Sequence, residues 1–242
     1  MKFLSPAKLN LNLRVISKRN DGYHNLETTF QLINLFDEIS FEESDKSYGI
    51  SCDGLDIEPK NNLIFKSLNA ITKYCNVDKG IKIHLKKIIP AGAGLGGGSS
   101  NAATTLIALN KIWDLNLSTE ELVSIGKGLG ADVPIFIYGK NAVATGIGDV
   151  FLDIELRKNK YLLICPDIEV STTEMFKKLR IHEVDPKLQN SFLDTLLKEY
   201  KSIEEFYKSF VNDYDLKLSG TGSTFFIELS LIHISEPTRL QQ

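Results

Sequence analysis

Ala7, Leu9, Leu11, Leu13 and Val15 alternate with Lys8, Asn10, Asn12 and Arg14, the period of a β-strand with one apolar face. The other face carries an ammonium and two carboxamides in a row. It is either a solvated sheet face or the floor of a polar pocket, and spacing leaves both open. A turn through Asp21-Gly22 follows, after which residues 28–35 predict a second strand and residues 36–41 a third. Leu63, Ile64, Leu68, Ile71 and Tyr74 recur at helical spacing, and Ile81, Ile83 and Leu85 alternate as a strand that stops at Pro90. Helices are predicted over 102–113 and 119–129, the second opened by a capping box of Ser118 with Glu121. The short apolar runs 135–138 and 142–145 predict strands around the turn Gly139-Lys140-Asn141.

Beyond the charged stretch 157–160, residues 161–165 predict a strand, and helices fall near 173–179, 192–200 and 203–210. Residues 216–218, 219–223 and 224–229 then predict strand, turn and strand. Helices and strands mix without βαβ alternation, which favours an α+β fold over a doubly wound sheet. Residues 231–242 continue neither period, and they are expected to be a non-native tail that replaces the true C-terminus.

At 242 residues with 43% hydrophobic and 24% charged positions, the chain has the composition of a globular protein. A net charge of −3 lacks the basic excess that binding a nucleic-acid backbone needs. Cys52, Cys75 and Cys165 are scattered, and the four histidines are equally dispersed, so neither a disulfide framework nor a zinc site is expected. No apolar stretch approaches the length of a membrane span or a secretion signal, and a cytoplasmic location is expected.

Residues 92–98 hold five glycines and lead through Ser99-Ser100-Asn101 into a helix. Gly92-Ala93-Gly94-Leu95-Gly96-Gly97 formally matches GxGxxG, but the context rejects a dinucleotide fold, because Pro90 interrupts the strand and no second strand ending in an acid follows. No Gly-Lys-Ser/Thr follows, which excludes a Walker A loop. What remains is a run of backbone N–H groups able to face one point at a helix N-terminus, a cradle for phosphate. The hydroxyls of Ser99 and Ser100 could donate to phosphate or reach a magnesium ion carried by a nucleotide. A structural turn with a serine cap is the alternative. Gly220-Thr221-Gly222-Ser223 offers a second, smaller cradle.

Pro90 to Ala103, as it stands, resembles the phosphate loop of the GHMP kinases, the superfamily of galactokinase, homoserine kinase and mevalonate kinase. Ser5-Pro6-Ala7-Lys8-Leu9-Asn10-Leu11, Asp21-Gly22-Tyr23-His24, Gly130-Ala131-Asp132-Val133-Pro134, Gly146-Ile147-Gly148-Asp149 and Leu218 to Ser223 resemble one branch of it, whose members phosphorylate 4-diphosphocytidyl-2-C-methyl-D-erythritol. The blocks run in order from Lys2 to about Glu228.

The resemblance implies a two-domain α+β fold, with a ribosomal S5 domain 2-like unit over 1–156 and an incomplete ferredoxin-like unit over 157–230. It implies ATP with Mg2+, a cytidine-diphosphate-linked methylerythritol as the small-molecule substrate, and a monomer or homodimer. Asp132 is then the catalytic base and Lys8 its partner. Asn10, Tyr23 and His24 hold the substrate, with Tyr23 stacking on the base, His24 hydrogen-bonding it and Phe176 as a second ring. Asn62 approaches the adenine, and Pro90, Gly92, Gly94, Leu95, Gly96, Gly97, Gly98, Ser99 and Ser100 meet the nucleotide. Taken singly, Asp132 reads as a cap and Lys8 as a solvated strand residue; together with the loop they read as chemistry.

Asn190-Ser191 departs from the Asn-Asp of many members, which questions that helix's cap. The family's further C-terminal helix and strand are replaced, so lower stability is expected. Another GHMP kinase, such as homoserine kinase, and a nonenzymatic nucleotide-binding regulator are the competing readings. Tyr23-His24 speaks against the first, and Lys8 with Asp132 against the second.

Overall fold

The computed structural model describes residues 1–229 apart from 46, 54–61, 158 and 186. The tail expected over 231–242 lies outside the described residues. Two antiparallel strands dominate, β1 (Lys2–Lys18) and β2 (His24–Ser44), joined by the turn at Gly22. Strands β3 (Tyr48–Asp53) and β4 (Gly80–Lys86) extend the sheet beside one end of β2, and β5 (Ala142–Thr145) with β6 (Val150–Asp153) beside the other. β3 and β6 carried no clear period and are added by the fold.

Residues 28–41 form one strand, not two. Opposite the Pro6/Ala7 step the register jumps from Phe36 to Ile33, so β2 absorbs extra residues in an irregularity and bends where a break was expected. The helices α1 (Leu63–Cys75), α2 (Gly97–Ile112) and α4 (Val133–Tyr138) bring Leu68, Ile71, Leu106, Leu109 and Ile135 into one core with Phe30, Ile39, Phe41 and Ile83 of the sheet, and α3 (Thr119–Lys127) packs against the other helices through Leu122. The capping box at Ser118 is present. The strand expected over 135–138 is instead α4, with Pro134 in its first turn and Gly139 as a left-handed C-cap at φ 72°. Residues 133–137 are buried throughout, and a run buried on all sides has no period to separate strand from helix. Gly139-Lys140-Asn141 therefore ends a helix and is not a hairpin turn.

The second sheet, in the order β7 (Lys160–Ile164), β9 (Phe225–Leu229), β8 (Lys217–Leu218), is antiparallel. Helices α5 (Thr172–Lys178), α6 (Leu193–Glu199) and α7 (Lys201–Phe210) accompany it. β1 is hydrogen-bonded into the first sheet only, but its residues feed the other cores as well. Its far end contributes Leu13 and Val15 to the second core beside Met175, Phe192 and Phe225, while Ala7 and Leu9 join Ile89, Leu95 and Phe226 in a third cluster between them. Leu13 also exchanges backbone hydrogen bonds with Gln189 and Ser191 (2.8 and 2.9 Å). Ser191 Oγ accepts from Val15 N–H, and Asn190 Oδ1 accepts from Phe192 N–H at 2.8 Å. Asn190 thus holds Phe192, the residue before α6, while Ser191 ties the segment to β1 and the helix itself has no side-chain cap.

The fold is α+β, as expected. Among the described residues, no helix is long and apolar enough to cross a membrane.

Candidate active site

A cavity of 1330 Å³ opens between the two sheets, larger than the roughly 300–1,000 Å³ usual for one small ligand. Its floor includes Lys8 and Asn10 of β1. Both are buried, so this part of the polar face marks a pocket, while Arg14 further along the strand faces solvent.

The glycine-rich loop forms one wall. Gly92, Gly94 and Gly96 take positive φ in alternation, and α2 begins at Gly97, five residues earlier than its apolar pattern indicated. Gly96 provides no side-chain cap, which leaves first-turn N–H groups of α2 for an anion. The loop is held by groups from distant segments of the chain. Leu95 O accepts from Lys8 N–H at 3.0 Å, Gly92 O from Val170 N–H, and Ala93 O from Thr224 N–H. Gly94 O accepts from Lys8 Nζ at 2.9 Å and from Ser219 Oγ at 3.2 Å.

Lys8 Nζ donates to Asn10 Oδ1 at 2.5 Å and lies 3.5 Å from Asp132 Oδ2. The lysine side chain is 3% exposed and the aspartate's is 38%, so the cation is locked and the carboxylate faces the cavity. Asp132 occupies the N-cap position of α4, yet its side chain makes no capping hydrogen bond. The cap assigned as its alternative role is not made.

Of the residues singled out in the loop, Pro90, Gly92, Gly94, Leu95, Gly96, Gly97, Gly98 and Ser99 line the cavity. Ser100 does not. It is buried, and its Oγ accepts from Ser5 Oγ at 2.8 Å. Asn62 lines the same cavity while its Oδ1 caps α1 through Ile64 N–H at 2.9 Å.

Towards the other end, His24 packs its ring on Phe176 (centroids 5.2 Å, 35°), and Phe176 sits edge-on to Phe192 at 4.7 Å. Tyr23 is exposed at the rim. Burial, reinforced by the Lys18 ammonium directly across the β1–β2 ladder, holds the His24 imidazole below its ordinary pKa. A neutral ring offers one donor and one acceptor, as reading a base edge requires.

Several cavity residues escaped the pattern. Thr28 appeared only as part of a strand, and Lys18 and Lys87 were not singled out. Lys87 Nζ lies 2.9 Å from Asp37 Oδ2, and the fully buried Asp37 accepts from Ile88 and Ile89 N–H through Oδ1 (2.7 and 2.8 Å), pinning the approach to the loop. Among the described residues no cluster of His, Cys, Asp or Glu could hold a metal ion.

The family model "GHMP kinases N terminal domain" matches residues 62–140, the span that holds the glycine loop and Asp132. The chain is 38% identical over 244 residues to the 4-diphosphocytidyl-2-C-methyl-D-erythritol kinase of Acinetobacter baylyi, covering 95% of this chain and 88% of that one. The enzyme of the same name from Pseudoalteromonas translucida is 39% identical, with 94% and 84% covered. A crystal structure of 4-(cytidine 5'-diphospho)-2C-methyl-D-erythritol kinase superposes with a TM-score of 0.82 at 29% identity, over 96% of this chain and 90% of that one. The chain belongs to the 4-diphosphocytidyl-2-C-methyl-D-erythritol kinase family.

Proposed function

We propose that this protein transfers the γ-phosphoryl group of MgATP to the 2-hydroxyl of 4-diphosphocytidyl-2-C-methyl-D-erythritol, a step of non-mevalonate isoprenoid synthesis in the cytoplasm. The observation that carries the reading is the placement of Lys8 and Asp132 3.5 Å apart at the glycine loop, in one cavity with the His24–Phe176 pair. In this reading the ATP phosphates lie along the loop and the first turn of α2, with the adenine towards Asn62. The magnesium ion travels with the nucleotide, and the Ser99 hydroxyl is the side chain at hand for it. The cytosine lies at the His24–Phe176 end, with Tyr23 closing over it from the rim. The division of the chain at 156/157 puts the loop, Lys8 and Asp132 on the first unit and Phe176 on the second.

Phosphoryl transfer asks for positioning, charge neutralisation and a proton acceptor. The substrate hydroxyl gives its proton to the Asp132 carboxylate while its oxygen forms the new bond to phosphorus and ADP departs with the old one. Lys8 keeps a positive charge beside both the carboxylate and the transferred oxygens. At 3.5 Å and an effective dielectric near 20 the Lys8–Asp132 attraction is on the order of 4 to 5 kcal/mol before solvent screening on the exposed aspartate side reduces it.

The test is ADP release from MgATP with the cytidine substrate, with homoserine and with no acceptor. Release is expected with the cytidine substrate alone, and Asp132→Asn should bind ATP but lose most turnover. Release with homoserine only would move the protein to another small-molecule kinase, and ATP binding without turnover on any acceptor would favour a regulator. Unchanged turnover in Asp132→Asn would remove the base.

A further inference from the structure

We infer that Thr28 is a positioning residue of this kinase, whose hydroxyl fixes the orientation of the Asn10 amide and through it the aim of the Lys8 ammonium. The inference rests on the reading of Lys8 and Asp132 given above.

Opposite Leu11 the β1–β2 ladder slips by one residue, and beside that bulge the Asn12 carbonyl accepts from Thr28 Oγ1 at 2.6 Å. The Asn12 side-chain oxygen is occupied by Thr29 N–H at 2.5 Å. A hydroxyl has one proton, and Thr28 spends it on Asn12, so towards Asn10 it can only accept. Asn10 must therefore turn its Nδ2 to Thr28, at 2.8 Å, and its Oδ1 to Lys8 Nζ, at 2.5 Å. With the amide reversed, an N–H₂ would face an ammonium and an oxygen would face an oxygen without a proton. Both contacts would fail inside a buried cluster, since Lys8, Asn10 and Thr28 are at most 3% exposed.

The ammonium has three N–H bonds. One goes to Asn10 Oδ1 and one to Gly94 O. The third is left for Asp132 Oδ2, whose 3.5 Å is too long for a good hydrogen bond and leaves the proton available to a phosphoryl oxygen. Thr28 touches none of the reacting groups in this scheme. It decides which end of Asn10 the lysine meets.

The experiment compares Thr28→Val, a near isostere with neither donor nor acceptor, with Thr28→Ser, which keeps the hydroxyl. Both are measured in the full chain beside Lys8→Met and Asp132→Asn, by steady-state ADP release with MgATP and the cytidine substrate and by thermal melting. In Thr28→Val, kcat is expected to fall about tenfold to thirtyfold, the loss of one hydrogen bond within a charged network, while the ATP KM stays within about twofold. Thr28→Ser is expected to retain most of kcat. If the valine protein does not fold, Thr28→Cys, with its weak donor and acceptor, is measured in its place and is expected to show the same selective loss. Wild-type kcat in Thr28→Val, or losses in the valine and serine variants that simply follow their melting temperatures, would overturn the inference. Loss of turnover in the Lys8 and Asp132 variants, with Thr28→Val at full rate, would overturn the role of Thr28 alone. Full turnover in the Lys8 and Asp132 variants would overturn the parent reading and this inference together.

Discussion

Gly94→Ala should damage this protein because the added Cβ would meet backbone, whereas at Gly92 and Gly96 the nearest atoms belong to side chains. Gly94 has φ 75°, and an added Cβ would sit 2.5 Å from Ser219 O and 2.8 Å from Gly222 O, both backbone atoms that cannot swing aside. The left-handed conformation costs an L-residue about 1 to 2 kcal/mol. Relieving the clash requires the turn at 219–222 to withdraw from the loop, which breaks the Ser219 Oγ bond to Gly94 O and strains that from Lys8 Nζ. These are worth about 1 kcal/mol and about 1.5 to 3 kcal/mol respectively. The expected loss is roughly 3 to 6 kcal/mol, a large part of a domain's stability, and at about 2 to 4 °C per kcal/mol the melting point should fall on the order of 10 °C.

Gly139→Ala is the control. That glycine also has a positive φ, but its Cβ would meet nothing closer than 3.8 Å, so it should lose only the conformational 1 to 2 kcal/mol. Urea unfolding of both variants, with kcat measured at a temperature where both are folded, separates the effects. Gly94→Ala should also lose at least about tenfold in kcat because Lys8 loses an acceptor. Equal destabilisation by the two substitutions would refute the claim that the second glycine turn clamps the phosphate loop.

The depressed pKa of His24 predicts a pH window. The neutral imidazole persists from above the unperturbed value of about 6.5 down to the lower folded value, so KM for the cytidine substrate should stay flat through 6.5 and rise only below it. Removing one of the two causes with Lys18→Gln should move that rise to higher pH, and an unmoved KM profile would contradict the assignment. Because the unfolded chain binds this proton more readily than the native one, His24 should also make the protein less stable as pH falls through the same window. His24→Ala should abolish that slope in urea midpoints, and an unchanged slope would exclude His24 as its source. Asp37→Asn should cost about 3 to 5 kcal/mol by leaving the Lys87 cation without its buried partner. A urea midpoint within error of wild type would show that the pair is dispensable.

Much of the site was readable before the fold. The glycine run stood out by composition, Lys8, Asn10, His24 and Asp132 were singled out through the family resemblance, and the cavity gathers all of them. Ser100 was grouped with Ser99 because neighbours in sequence look alike. A helix turns consecutive side chains about 100° apart, and this one sends Ser100 inward to Ser5. Residues 135–138 misled for the opposite reason, since a run buried on every side carries no period.

Local spacing alone decided the first hairpin turn, the long helices, the Ser118 capping box and the alternation of β1, because each depends on residues within a few positions of one another. It also supplied an anion cradle and an isolated lysine and aspartate 124 positions apart in the chain. Only the tertiary structure brought Lys8 to Asp132 and set Ser219 against Gly94. It also chose between a solvated and a pocket-lining face for Lys8 and Asn10 of β1. That choice depends on what covers the strand, and the covering loop lies more than eighty residues away in sequence.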